Sequence, residues 1–247
     1  MMVTSNAISF PDPRHFDFNN IARQTAEVVR HFPLFSELPL ADCERIVALA
    51  RVQHYQPRKP IFFEGDPVRQ IRILTCGSVK LTQVGPLGQE VILRLVGRGE
   101  LLCVECFPQG IHSATACALE ESSALVWEAI QFQALRDRFQ ILGRNITSVL
   151  LRTLNELEVR FREVSTAKVA VRLSCQLVRL LDQVGKRSNG QVEIAIFQQD
   201  LAQLTGTTLF TVNRLLHEWE ARGIVKQKRQ AVQVLDLPAL IKASETE

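Results

Sequence analysis

Phe197-Gln-Gln-Asp-Leu-Ala-Gln-Leu-Thr-Gly-Thr-Thr-Leu-Phe-Thr-Val-Asn-Arg-Leu-Leu-His-Glu-Trp-Glu-Ala-Arg-Gly-Ile-Val225 is the stretch that decides the fold. Its spacing predicts two helices crossing at a tight turn, with the small Ala202 where they touch and Gly206 free to take the turn conformation. Thr207 or Thr208 is placed to cap the second helix, whose apolar stripe is Val212, Leu215, Leu216 and Trp219. The free side then carries Thr208, Leu209, Phe210, Thr211, Asn213 and Arg214, with Gln198, Gln199 and Thr207 beside it. Such a set offers hydroxyl, amide, guanidinium and apolar contacts to a major groove, and Arg214 is the first candidate to touch a base or a phosphate.

Downstream, Ile224-Val-Lys-Gln-Lys-Arg-Gln-Ala-Val-Gln-Val-Leu235 reads as a two-stranded wing. Lys226, Lys228 and Arg229 fall near its tip, where phosphates would lie. Upstream, a helix is expected from Ala167 to about Val184, with Ser165 as its cap and Gly185 near its end. Before that, Leu150, Leu154, Leu157, Phe161 and Val164 recur at steps of four and three, the spacing of one side of a coiled coil. An ordinary amphipathic helix packed on its own domain has a similar stripe.

Between Gln56 and Trp127 the period shortens. Pro60-Ile-Phe-Phe63, Ile71-Arg-Ile-Leu74, Ser78-Val-Lys-Leu81, Val91-Ile-Leu-Arg-Leu-Val96 and Ser123-Ala-Leu-Val-Trp127 alternate with turn residues, the pattern of an all-β sandwich or barrel. A short helical segment is expected within Phe32 to Val52, and residues 1–31, with Pro11 and Pro13 and a short helix over Asn20 to His31, read as an appended arm.

With 247 residues, 46% of them hydrophobic and 22% charged, the chain has the composition of a globular protein with room for two cores. No run approaches the roughly 18 apolar residues that cross a bilayer, and Met1 to Phe10 lack the pattern of a secretory signal, so a cytoplasmic protein without membrane partners is expected. In that compartment the six cysteines are expected to be free thiols. The net charge of +3 alone does not identify a polyanion partner. No Ser-His-Asp arrangement, phosphate-cradling glycine loop or paired catalytic carboxylates stand out, so an enzyme is not expected.

Taken in order, Ile61-Phe-Phe-Glu-Gly-Asp66, Ile73-Leu-Thr-Cys-Gly-Ser-Val-Lys80, Leu87-Gly-Gln-Glu90, Gly97-Arg-Gly-Glu100, Asp200-Leu-Ala-Gln-Leu-Thr-Gly206 and Thr211-Val-Asn-Arg-Leu-Leu216 resemble the cyclic-AMP receptor protein and fumarate-nitrate regulator (Crp/Fnr) superfamily of transcription regulators. The resemblance covers about residues 32 to 236. It implies an α+β fold, with an N-terminal antiparallel β-roll sensor of the cyclic-nucleotide-binding kind over 32–140, a dimerisation helix over 141–164 and a winged helix-turn-helix domain over 165–247. It implies a homodimer on palindromic double-stranded DNA, an effector bound between β-roll and central helix, and contact with RNA polymerase if the chain is an activator.

The chain departs from the nucleotide-binding members of that family. Positions that resemble Gly-Glu and Arg-Ser in the cyclic-AMP receptor are Cys103-Val104 and His112-Ser113 here, which removes a carboxylate for the ribose hydroxyl and a guanidinium for the cyclic phosphate. Cyclic AMP is therefore disfavoured, and Glu100, Cys103, Val104, Glu105, His112, Ser113 and Thr115 are the pocket candidates for another effector. Leu209 and Phe210 stand where the family commonly has polar base readers. Cys103-Val-Glu-Cys106, with Cys76 and Cys117, offers thiolates for an iron-sulfur cluster or zinc, or a redox pair, and His112 offers a haem or anion ligand. Buried cysteines acting as small hydrophobes and a histidine exposed in a turn are the plainer expectation, and no metal set is assigned. The alternative to a DNA-binding regulator is a ligand-binding or scaffold β-roll with a degenerate helix-turn-helix.

Overall fold

A period of two builds the first part of the chain and a period near 3.6 most of the rest. The computed structural model describes residues 18–103, 110–188 and 191–245. Its first half is a roll of two antiparallel sheets, formed by β1 (Arg51–Tyr55), β2 (Pro60–Phe62), β3 (Gln70–Cys76), β4 (Val79–Val84), β5 (Glu90–Val96), β6 (Thr115–Ala118) and β7 (Ser122–Glu128). Strand order is β1-β7-β3 in one sheet and β2-β6-β4-β5 in the other. Residues Ser122 to Trp127 of β7 are all buried because that strand is central and covered on both faces. Between the sheets lie Leu74, Val79, Leu81, Val96, Ala116, Ala118, Ala124 and Val126.

The turn from β3 to β4 requires glycine twice over. Gly77 has φ +85°, and a Cβ there would come 2.2 Å from Ser122 Oγ.

The outer face of the first sheet is sealed by helices. Ile71, Ile73, Leu125 and Trp127 pack against α1 (Phe18–Val29), the 3-10 turn Pro33–Phe35, α2 (Leu40–Val47), α3 (Ala129–Arg138) and the start of α4 (Gln140–Thr166). Trp127 donates its indole N–H to the Ile46 carbonyl at 2.8 Å and meets Phe132 edge-on at 5.5 Å, so a large side chain is buried with its one polar atom satisfied. Ala26 and Val29 of α1, within the segment read as an appended arm, pack into this same core.

Leu142 and Ile146 are the buried residues of α4, and Val149 and Leu150, the latter expected in the dimer seam, still pack partly against this core, while Leu151, Leu154, Leu157, Val159, Phe161 and Val164 are exposed. The chain continues through α5 (Val169–Gln183), β8 (Lys186–Ser188), β9 (Gln191–Ala195), α6 (Gln198–Thr205), α7 (Leu209–Ala221), β10 (Val225–Lys228), β11 (Ala231–Val234) and α8 (Leu237–Glu245), with sheet order β10-β11-β9-β8. Leu173, Leu177, Leu180, Leu201, Val212, Leu216, Trp219 and Val232 form its core, which also takes in Ile92 and Leu95 of β5. The C-terminal unit therefore rests on the outside of the roll. Among the described residues no helix is long and apolar enough to cross a membrane.

Several local expectations are corrected. Ser165 is not a cap: it lies inside α4, where its hydroxyl donates back to the Phe161 carbonyl at 2.8 Å, and α5 begins at Val169 after Lys168. Val52 belongs to strand β1 rather than to the helical segment before it. Strands β1, β6, β8 and β9 lie outside the expected set. Cys103 is not a free thiol but disulfide-bonded, whereas Cys43, Cys76 and Cys117 are free thiols. His112 is not exposed in a turn but buried.

Candidate nucleic-acid interface and sensor site

The helix pair is built as its residues dictate. Gly206 ends α6 in the left-handed conformation, φ +61°. Thr208 then caps α7, its hydroxyl accepting the Thr211 N–H at 3.2 Å with the two threonine hydroxyls 3.0 Å apart. Val212, Leu215, Leu216 and Trp219 are buried, which turns the first turn of α7 outward. There Leu209 is 40% exposed and Phe210 78% exposed. Arg214, one helical turn beyond Phe210, is exposed and pairs with Glu218; Thr211 and Asn213 are half-buried and Thr207 is partly covered.

The wing brings Lys226 and Arg229 to the surface, while Lys228 pairs with Glu193 of β9. Gln198 does not face outward freely: it donates to the Gln227 side-chain carbonyl at 2.7 Å, whereas Gln199 is exposed. Gln227 in turn donates its backbone N–H and its side-chain amide to Glu220, both at 2.9 Å, which holds the Glu220 carboxyl below the usual carboxylate range. Through these contacts the first helix, the end of the second and the wing are one unit.

In the roll the pocket candidates have unequal roles. Glu100 is half-buried and its carboxylate accepts the Gly97 N–H at 2.7 Å, closing the turn after β5; burial pushes its pKa up. The Ser113 carbonyl accepts from the Gln83 amide at 2.6 Å, and the Thr115 hydroxyl accepts the Glu64 N–H at 3.0 Å. Cys103 is buried; Val104, Glu105 and Cys106 lie outside the described residues. His112 stacks on Phe62, ring centroids 3.6 Å apart and planes at 11°. Arg72 lies 5.6 Å from the Phe62 centroid and donates from Nε to the Tyr55 hydroxyl at 3.2 Å. Tyr55, Phe62 and Arg72 are absent from the sequence candidates, and their only signal is the strand alternation that turns them to one side.

A disulfide-bonded Cys103 supplies no thiolate, and Cys76 at the end of β3 and Cys117 on β6 lie in different sheets. Among the described residues no three His, Cys, Asp or Glu side chains gather as a metal-holding group. Among the described residues the cysteines therefore form no set that fits a cluster or zinc.

Contacts between roll and C-terminal unit escaped sequence reasoning altogether. Lys80 of β4 reaches Asp200 of α6 at 3.1 Å and Glu90 at 3.6 Å. Gln203 donates to Glu90 at 3.4 Å, Lys186 pairs with Glu120, and the Arg58 guanidinium lies 4.6 Å over the Phe197 ring. Arg160 of α4 donates to the Leu93 and Ile92 carbonyls of β5 and, at 3.3 Å, to the Leu204 carbonyl of α6; burial, with Arg179 beside it, pulls its pKa down to about 10.

Comparison with known proteins agrees with this architecture. Residues 52–139 match the cyclic nucleotide-binding domain family and residues 171–243 the Crp-like helix-turn-helix domain family. The chain is 29% identical to the cyclic AMP receptor protein of Thermus thermophilus, over 84% of this chain and 94% of that one. It is 25% identical to the CRP-like cAMP-activated global transcriptional regulator of Mycobacterium tuberculosis, over 71% and 80% respectively. The structure of FixK2 from Bradyrhizobium japonicum shares the fold, with a TM-score of 0.70 at 16% identity over 80% of this chain and 98% of that one. The roll, the long helix and the helix-turn-helix with its wing stand in the same order in this chain, which belongs to the Crp/Fnr superfamily and is a Crp-family transcription regulator.

Proposed function

We propose that this chain is a homodimeric regulator that binds palindromic operator DNA and is switched through its β-roll by an effector other than cyclic AMP. The observation that carries the reading is the outward first turn of α7, with Thr208, Leu209, Phe210 and Arg214 exposed beside the basic wing residues Lys226 and Arg229. That is the arrangement in which a recognition helix enters the major groove N-terminus first while a wing meets phosphates.

The dimer rests on α4. Leu154, Leu157, Phe161 and Val164 are an exposed apolar run on a helix of 27 residues, and a parallel partner helix would cover them. Two such units set two recognition helices about 34 Å apart, one helical turn of DNA.

The effector reading rests on chemistry at the pocket. By the family resemblance His112 and Cys103 take the positions of a guanidinium-bearing residue and of the small residue before a carboxylate, and in the structure His112 is buried and stacked on Phe62. The Thermus and Mycobacterium relatives carry cyclic AMP in their names, and that property is not transferred to this chain. An effector shifts the dimer only by binding one arrangement of roll and reader better than the other. The Lys80–Asp200 and Arg160 contacts are the ones such a shift would break or make.

Sedimentation of the purified chain, followed by titration of a labelled random-sequence duplex at about 50 and 200 mM salt, tests the reading. A dimer whose DNA affinity falls steeply with salt supports it. A monomer, or a dimer without DNA affinity at the lower salt, would leave the β-roll as a binding or scaffold module.

A further inference from the structure

Leu209 and Phe210 open α7 with two apolar side chains that no core requires. The stripe that holds the helix is complete without them, since Val212, Leu215, Leu216 and Trp219 are buried. Phe210 is more exposed than any other described large apolar residue of the C-terminal unit. Leu209 and Phe210, adjacent and exposed on the face that would enter the groove, offer an apolar contact there.

Charge narrows what the partner of that contact is. Arg214 follows Phe210 by one turn, and Arg222, Lys226 and Arg229 are exposed around the end of α7 and the wing. This surface attracts a polyanion and would repel a basic protein surface. Within the major groove, one base presents an apolar group, the C5-methyl of thymine. Hydrogen-bonding readers at the same helix positions would engage the donors and acceptors of the base edges, and the side chains of Leu209 and Phe210 can neither donate nor accept.

We infer that Phe210, assisted by Leu209, is a specificity-determining residue that reads thymine methyl groups, so that each operator half-site carries thymine where the first turn of α7 meets the base edges. Thr208 holds that turn through its hydroxyl, and Arg214, one turn further along α7, is exposed and pairs with Glu218. The inference rests on the DNA-binding reading above and adds the chemical class of base that is read.

The test takes the duplex selected by the full-length chain from a random-sequence pool and remakes it with deoxyuridine at each thymine in turn, which removes one methyl group and leaves every hydrogen-bonding edge unchanged. At one or two symmetry-related positions per half-site the change is expected to weaken binding about fourfold, the weight of one buried methyl. F210A is expected to bind the thymine and uracil duplexes alike, with the parent's circular dichroism spectrum and unfolding midpoint as evidence that its fold is intact. Phe210→Leu should keep part of the discrimination. An operator bound equally well with uracil at every position, or an F210A chain that discriminates as the parent does, overturns the inference while leaving DNA binding in place. Selection of no sequence, or loss of all DNA binding by the parent chain, overturns the DNA-binding reading and this inference with it.

Discussion

Lys80 Nζ lies 3.1 Å from Asp200 Oδ1, with only 16% and 8% of the two side chains exposed, and so joins strand β4 of the roll to the first helix of the helix-turn-helix. Burial alone would lower the Lys80 pKa, but the Asp200 carboxylate and its hydrogen bond outweigh this and hold it above the usual lysine value. The contribution of a base raised in this way is fully present below its unfolded pKa and is lost as pH rises through the folded one. K80M is expected to cost about 2 kcal/mol or more, because it leaves the buried Asp200 carboxylate without its partner, and D200N less, because Lys80 keeps Glu90 at 3.6 Å. Urea unfolding of both singles and the double should give a less-than-additive double. Additive losses would mean that the two side chains do not interact in solution.

Arg160 occupies the junction of roll, long helix and reader. Between Leu81/Thr82 of β4 and Arg94/Ile92 of β5 the ladder slips by one residue, leaving Leu93 as the unpaired residue of a bulge. Its carbonyl accepts from Arg160, which also reaches the Leu204 carbonyl at the end of α6. Arg160→Met, similar in length and without donors, is expected to expose the α4–α5 junction to limited proteolysis while both cores keep their spectroscopic signatures. Proteolysis at the parental rate would show that the fork carries no positional load.

Glu100 gives the roll a pH dependence of defined sign. Burial raises its pKa in the folded state, so its contribution is fully present below the ordinary carboxylate range and declines as pH rises through the raised value. E100Q retains an oxygen to accept the Gly97 N–H and carries no charge to bury. The urea midpoint of E100Q relative to the parent is therefore expected to rise as pH increases from about 4 toward neutrality. A pH-independent difference would contradict the assignment.

Phe161, 76% exposed on α4, is expected to sit in the seam between two copies. F161E places like charges opposite each other in that seam and should convert the dimer to a monomer in sedimentation, with about the same unfolding midpoint per chain for the roll core. Retention of the parental mass would place the dimer contact elsewhere.

Much of this architecture is legible in the residues because the deciding signals are local. Gly206, the Thr208 cap and the Val212-Leu215-Leu216-Trp219 stripe act within one or two turns of chain, and the structure has all three. Three of the four strands that escaped have weak local signals; β9, Gln-Val-Glu-Ile-Ala, alternates clearly and is legible. In β1 only Tyr55 is buried, β6 is Thr-Ala-Cys-Ala with little β-branching, and β8 is a three-residue edge of Lys-Arg-Ser. Ser165 has the chemistry of a cap but satisfies its hydroxyl inside the helix. At the site, His112 looked exposed because its turn is polar in sequence, whereas the partner that buries it, Phe62, lies 50 residues upstream. Lys80 and Asp200 are 120 residues apart, and nothing in either neighbourhood announces the other.

A hydroxyl-radical footprint of the full-length chain on its selected duplex tests the central claim most directly. The account predicts two symmetric protected segments whose centres lie about one helical turn apart, lost together in F161E. A single protected segment, or uniform protection without sequence dependence, would contradict a dimer that reads a palindrome through α7.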